Sequence, residues 1–253
     1  MLASLFASLF RRIGHRKPET RTTEATFYSQ VATCQIPNLW YLYELVFGKK
    51  SSGCFVEIGG HDGVFVSNSW GLAEAGWSGV IAEPVPEFSE LCRANHLAHP
   101  SVRVCEVAIS SPGHDRITLN VAGALSTASH AQYEEYKSVR WARRLTLENR
   151  QIEARSQTLD QFLEDQQVPQ GFDVLIVDVE GYEESVFQGF SVMRWKPTLM
   201  IIELANTHPD LRATRTYDSR LQLDIESCGY EIIYKDWINT VFLRSDVFQS
   251  VVS

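Results

Sequence analysis

The chain has 253 residues, 44% of them hydrophobic and 21% charged, which is globular composition and excludes disordered and fibrous classes. Its 31 acids outnumber 23 Lys and Arg, for a net charge of −8, so a general nucleic-acid-binding role is not expected. No apolar run approaches the roughly 20 residues of a membrane span.

Five cysteines (Cys34, Cys54, Cys92, Cys105 and Cys228) are scattered, with no C-x-x-C pair. That argues against a disulfide framework or a Cys-built zinc site and for a reducing, cytoplasmic compartment. Cys54 and Cys105 sit in apolar runs and read as buried small hydrophobes.

Charge is uneven along the chain. Residues 1–23 carry five Lys or Arg and one acid, a net +4 that leaves −12 on the remainder. Within this stretch Leu2, Leu5, Phe6, Leu9, Phe10 and Ile13 form one helical stripe. Such a helix suits peripheral contact of residues 1–17 with an anionic membrane, a targeting role, or packing on the domain or a second subunit. Residues 1–26 therefore read as an extension and linker, and 27–253 as one domain.

From there strands and helices alternate. A helix is predicted over 38–47, a buried strand over Cys54–Ile58 and a helix over Val66–Ala75. Gly79–Glu83 reads as a strand, Pro86–Asn95 as a helix and Val102–Ile109 as a third strand. Ile117–Val121 reads as a hairpin strand, 128–150 as a charged helical stretch, Gln151–Gln157 as a short strand and Leu159–Asp165 as a helix. Phe172–Asp178 and Thr198–Leu204 are strongly apolar strands, 217–228 a helix, and Tyr230–Lys235 with Thr240–Arg244 a closing hairpin. The pattern predicts an α/β, doubly wound, mostly parallel sheet with an antiparallel hairpin at its end.

In such sheets ligands bind beyond the carboxyl ends of the strands. Four segments meet that description. Ile58-Gly59-Gly60-His61-Asp62-Gly63 is a glycine-rich turn after a strand that contains Glu57; it is not the dinucleotide fingerprint, because Ile58 stands where a glycine is needed. Glu83-Pro84 ends the next strand, 20 residues after Gly63, where a carboxylate can accept ribose hydroxyls. Asp178, Glu180 and Glu183 follow a third apolar strand closely enough to repel one another, so a cation, a polar substrate or a helix N-terminus is expected to relieve them. Glu203 ends a fourth strand, with His208 just beyond. Between the third and fourth core strands, 125–155 carries His130, Tyr133, Tyr136, Trp141 and Arg140, Arg143, Arg144 and Arg150. These rings and guanidiniums suit a sugar face or an anionic group, or a solvated helix.

Thr158-Leu159-Asp160-Gln161-Phe162, Asp173 through Glu183, and Val186-Phe187-Gln188-Gly189 together resemble the signature of FkbM-type methyltransferases. The glycine-rich segment resembles that family's first cofactor motif and Glu83-Pro84-Val85-Pro86 its second; His61 stands where the family usually has Asn. The similarity spans roughly 54–205. It implies a Rossmann-like class I fold with a seven-stranded sheet, and S-adenosylmethionine as cofactor. Under it Glu57, Gly59, Gly60, His61, Asp62 and Gly63 would hold the methionine moiety. Glu83 and Pro84 would lie at the ribose, Glu106 and Ala108 at the adenine, and Asp178 at the reacting end. The expected reaction is O-methylation of a hydroxyl, of a sugar or glycan by preference. Asp178, Glu203 and His208 are the catalytic candidates, and Asp178 with Glu203 the ligands of a Mg²⁺ or Mn²⁺ ion if one takes part. A nucleotide-cofactor oxidoreductase and a non-catalytic adaptor on the same fold are the alternatives.

Overall fold

The computed structural model describes residues 27–252; the stripe expected over residues 1–17 lies outside them. A helix, α1 (Leu39–Phe47), precedes the first strand. The α/β core then runs β1 (Cys54–Ile58), α2 (Trp70–Glu74), β2 (Ser78–Ala82), α3 (Pro86–Asn95), β3 (Val102–Cys105). A small insertion follows: β4 (Ala108–Ile109), β5 (Arg116–Val121), α4 (His130–Ser138) and β6 (Arg150–Gln157). The chain returns through α5 (Leu159–Asp165), β7 (Val174–Val177), α6 (Glu183–Gln188), α7 (Val192–Trp195) and β8 (Leu199–Glu203). It ends with α8 (Arg215–Ser227), the hairpin β9 (Tyr230–Lys235) and β10 (Asn239–Arg244), and α9 (Ser245–Val252).

Seven strands form one sheet in the order β3-β2-β1-β7-β8-β10-β9, parallel except where β10 runs against both neighbours. The expected class I architecture is thus the observed one. β7 and β8 are buried along their whole length, as their uninterrupted apolar sequences require of central parallel strands. Alternate residues feed two cores. Val56, Leu175, Val177, Met200 and Ile202 face the layer with Phe162 and Phe172. Phe55, Val174, Ile176, Leu199 and Ile201 face the layer with Tyr43 and Trp77. Strand order reverses between β1 and β7, which opens a crevice at their carboxyl ends.

Three predicted elements differ. The helix expected over Val66–Ala75 starts only at Trp70, because Val66 has φ +54° and Ser67 Oγ instead accepts from the Ser69 and Trp70 amides at 3.2 and 3.1 Å. The third strand divides at Glu106. The Val107 amide turns back to the Cys105 carbonyl at 3.1 Å, and β4 leaves to pair with β6 in a separate sheet of order β4-β6-β5. The long helix over 128–150 ends at Ser138, because Val139 is extended and packs with Ala142 toward Ala205 and Leu211; a 3-10 turn follows at Arg143–Thr146. All five cysteines are free, and it is Cys92, not the strand-end residues Cys54 and Cys105, that is fully buried.

Phe162 is fully buried in the first core layer, whereas Leu97 is 82% exposed. Phe162→Ala is expected to cost about 3–5 kcal/mol and Leu97→Ala less than about 0.5 kcal/mol, read as shifts in the urea unfolding midpoint.

Candidate active site

Gly59 is what allows the crevice to form. Its φ is +90°, and a Cβ there would stand 1.7 Å from the Asp178 carbonyl oxygen. With that contact open, the Gly59 amide reaches the Ala82 carbonyl at 2.9 Å and the Asp178 amide the Ile58 carbonyl at 3.0 Å. Three strand ends are thereby drawn together. His61 continues the turn at φ +46°, a region in which Asn and His are both favoured among non-glycine residues.

The crevice encloses a cavity of about 300 Å³. Of the residues singled out in the sequence, Glu57, Gly59, Gly60, His61, Glu83, Pro84, Ala108, Asp178, Glu203 and His208 all line it. Asp62, Gly63 and Glu106 do not. Asp62 Oδ1 accepts from the Val64 and Phe65 amides and so shapes the turn, and Gly63 packs on Cys92 and His96 behind it. Glu106 is exposed and accepts from Ser89 Oγ at 3.2 Å.

One end of the cavity is built on Glu57 and Glu83. Glu57 is buried at β1 and accepts from Ser69 Oγ at 2.7 Å; burial pushes its carboxyl up to about 8. Glu83 accepts from the His61 amide through one oxygen and the Val85 amide through the other, each at 2.8 Å, and burial raises it to about 7. His61 is tilted on Phe88 with ring centroids 4.4 Å apart. Its Nδ1 is buried without a hydrogen-bond partner, and burial lowers its pKa.

At the other end Asp178, Glu180 and Glu203 bring carboxylate oxygens within 4.8 Å of one another. Burial raises all three, and for Glu180 and Glu203 the neighbouring carboxylates add to it. Asp178 accepts from Gln35 Nε2 at 3.1 Å, and Glu180 accepts from the Tyr136 hydroxyl. Glu203 Oε2 is buried and unpartnered. Glu183 does not join them: it sits at the start of α6 and accepts from the Val179 and Gly181 amides at 3.0 and 3.3 Å. His208 lines the cavity, and its Nδ1 accepts from the Asp210 and Leu211 amides, each at 3.1 Å, which ties down its loop.

Of the segment 125–155, Leu125, Ser126, Ala128, Tyr136, Trp141 and Leu145 reach the cavity. His130, Tyr133, Arg140, Arg143, Arg144 and Arg150 do not, and Arg150 pairs with Glu87 at 2.5 Å. Trp141, His208 and Trp237 form a row of rings with centroids 6.0 and 6.4 Å apart. Gln35 and Asn68, whose amides bond to each other at 3.2 Å, carry no motif and were not legible as site residues.

A family model, the methyltransferase FkbM domain, matches residues 57–232, reaching beyond β8 into the closing hairpin. No curated protein sequence matches the chain. Solved structures resemble it at low identity. A precorrin-6y C5,15-methyltransferase from Geobacter metallireducens is 9% identical over 85% of this chain and 93% of its own, with a TM-score of 0.43. Fibrillarin from Aeropyrum pernix, solved with natively bound S-adenosyl-L-methionine, is 8% identical over 76% and 66%, with a TM-score of 0.35.

Raised carboxyls make stability depend on pH with a defined sign. Folded, Glu57 and Glu83 keep protons to about pH 8 and 7; unfolded, they lose them near 4.5. The stability they contribute is therefore complete below the ordinary carboxylate range and is lost as pH rises through about 7–8. His61 and His96, whose pKa values burial lowers, act in the opposite sense as pH falls below the ordinary histidine range. The readout is thus the difference between wild type and Glu57→Gln. From pH 5 to 8.5 the wild-type thermal midpoint is expected to fall relative to that of the variant; parallel curves would contradict the raised Glu57.

Proposed function

Because the chain belongs to the family of FkbM methyltransferase domains, we propose that it is an S-adenosylmethionine-dependent O-methyltransferase whose acceptor is a hydroxyl of a sugar or glycan. The observation that carries this reading is the convergence of Asp178, Glu180 and Glu203 on one end of a cavity whose other end is lined by Gly59, Gly60, Glu57 and Glu83.

The residues present fit the cofactor. A Cβ at Gly60 would stand 2.2 Å from Ile81 Cγ2, so the turn that approaches the ligand carries no side chain there. Glu57 is a buried carboxyl held by a single hydroxyl, and an ammonium at the cavity would favour its charged form. Both oxygens of Glu83 already accept backbone N–H groups, which fixes their direction while each retains a lone pair for a ribose hydroxyl. Val107, Ala108 and Ile109 offer an apolar wall for a base. Bound there, S-adenosylmethionine supplies an electrophilic methyl group on its sulfonium.

An aliphatic hydroxyl is a weak nucleophile and must lose its proton as the new bond forms. Asp178 serves as the acceptor of that proton. The Gln35 amide holds one of its carboxylate oxygens in place. Glu203, with a free buried oxygen beside it, shares the proton. Trp141 and Trp237, on either side of His208, offer ring faces to a sugar at the rim. A second reading places a divalent cation among Asp178, Glu180 and Glu203; the 4.8 Å spread of their oxygens favours it, and oxygen-only ligands suit Mg²⁺ or Mn²⁺. The same family membership favours methyl transfer over the oxidoreductase alternative.

Transfer of labelled methyl from S-adenosylmethionine to a panel of glycans, lipids and phenols tests the reaction. Labelling of glycan hydroxyls is expected. Asp178→Asn is expected to lower turnover by about 100-fold or more while calorimetric affinity for S-adenosylhomocysteine stays within a few-fold. Unchanged turnover would remove Asp178 from catalysis, and labelling confined to lipids or phenols would remove the sugar. Loss of turnover in chelator, restored by Mg²⁺ or Mn²⁺, is the outcome of the cation reading; chelator-insensitive turnover rejects it.

A further inference from the structure

The arginines that the sequence places beside the cavity are not used by it. Residues 139–147 hold Arg140, Arg143 and Arg144 and no acid. The segment is not loosely attached. Ala142 and Thr146 are buried, and the Tyr133 hydroxyl donates to the Thr146 carbonyl at 3.3 Å. Val139 packs inward beside these anchors, and the other side chains are exposed: Trp141 by 48%, Leu145 by 46% and Leu147 by 71%, together with all three arginines. Among the described residues no ion pair engages Arg140, Arg143 or Arg144. Trp237, 63% exposed, extends the same face through its contact with His208.

A single exposed leucine needs no explanation. Three large apolar side chains interleaved with three unpaired guanidiniums on a fixed turn do, because each group has the partner the other lacks at a lipid–water boundary. Apolar side chains and indole rings enter the acyl margin, and guanidiniums bind the phosphates above it. The remainder of the chain beyond residue 23 carries −12, so approach to an anionic surface is favoured through a local concentration of positive charge such as this one. We infer that residues 139–147 form a docking surface for an anionic phospholipid bilayer. Trp141 and Leu145 also line the cavity, so docking sets its mouth against the headgroup layer. An acceptor carried by a lipid would then reach Asp178 without leaving the bilayer surface. That consequence rests on the proposed methyl transfer; the docking does not.

Co-sedimentation of the full chain with phosphatidylcholine vesicles, with and without phosphatidylserine, tests the surface. The variant Arg143→Gln/Arg144→Gln/Leu147→Ser changes only residues that do not line the cavity, and it keeps residues 1–26. A difference from wild type therefore reports this surface and not the N-terminal stripe. Binding is expected to anionic vesicles only, to weaken with added salt, and to fall about tenfold or more in the variant. An unchanged thermal midpoint will show that the variant is folded; should it not fold, Arg144→Gln and Leu147→Ser are measured singly, each expected to weaken binding severalfold. Equal binding by wild type and variant, or no binding by wild type, overturns the inference. So does self-association abolished by the variant without vesicle binding, which would make a second copy of the chain the occupant.

Discussion

Asp178, Glu180 and Glu203 bring oxygens within 4.8 Å of one another at the buried end of the cleft. Two charges at about 4 Å repel by about 4 kcal/mol at an effective dielectric of about 20. Three cannot all be ionised there without help, and burial together with mutual repulsion keeps protons on the group. The strands cannot relieve the crowding by separating. β7 and β8 are hydrogen-bonded in register, with Val177 opposite Ile202, and both are buried on each face. Glu180 accepts a further cost, a φ of +56°, and Glu183 holds the loop in that shape through the Val179 and Gly181 amides.

What surrounds the carboxylates follows from this. Their donors come from outside the sheet: Gln35 from the stretch before α1, Tyr136 from α4. Gln35 is itself held by Asn68, which accepts weakly from Cys34. These bonds tie the segment before the first strand and the insertion after the third to the same point. The covering of the site is thus a condition of burying the acids, in addition to any role in shaping an acceptor.

The central strands were legible because each is a short apolar run ending in glycine or an acid, too short for a core helix and of the kind a parallel core strand buries. The strand-end acids were legible for the same reason: Glu57, Glu83, Asp178 and Glu203 interrupt runs whose ends face a crevice in this topology. The misreadings share a cause. Val66, Glu106 and Val139 look regular in their local patterns, and each is pulled out of its element by a tertiary contact. Thr33 Oγ1 accepts the Val66 amide, β6 captures the chain after Glu106, and Ala205 and Leu211 pack near Val139. Gln35 had no signal, since one amide in a polar stretch becomes a site residue only through a bond 143 residues away in sequence. Cysteine burial failed on position. Cys54 and Cys105 occupy the first and last residues of their strands, whereas Cys92 lies on the inward face of α3.

The insertion between β3 and β7 has two faces with opposite chemistry. Inward, Tyr136 donates to Glu180 and Trp141 flanks His208; outward, Arg140, Arg143 and Arg144 stand among exposed apolar side chains. The acidic balance of the chain does not contradict a cationic outer face, because the two act over different distances. Charges further than about 8 Å are screened at physiological ionic strength, so on contact the local strip dominates and the diffuse negative charge does not. At a distance, and more so in low salt, the net charge repels an anionic surface, and an orientation that turns the strip toward it reduces that repulsion. The proposed docking would therefore turn the strip toward the surface, whereas a uniformly basic domain would have no preferred face. Since Trp141 and Leu145 belong to both the strip and the cavity lining, the orientation that the proposed docking selects would also present the cavity.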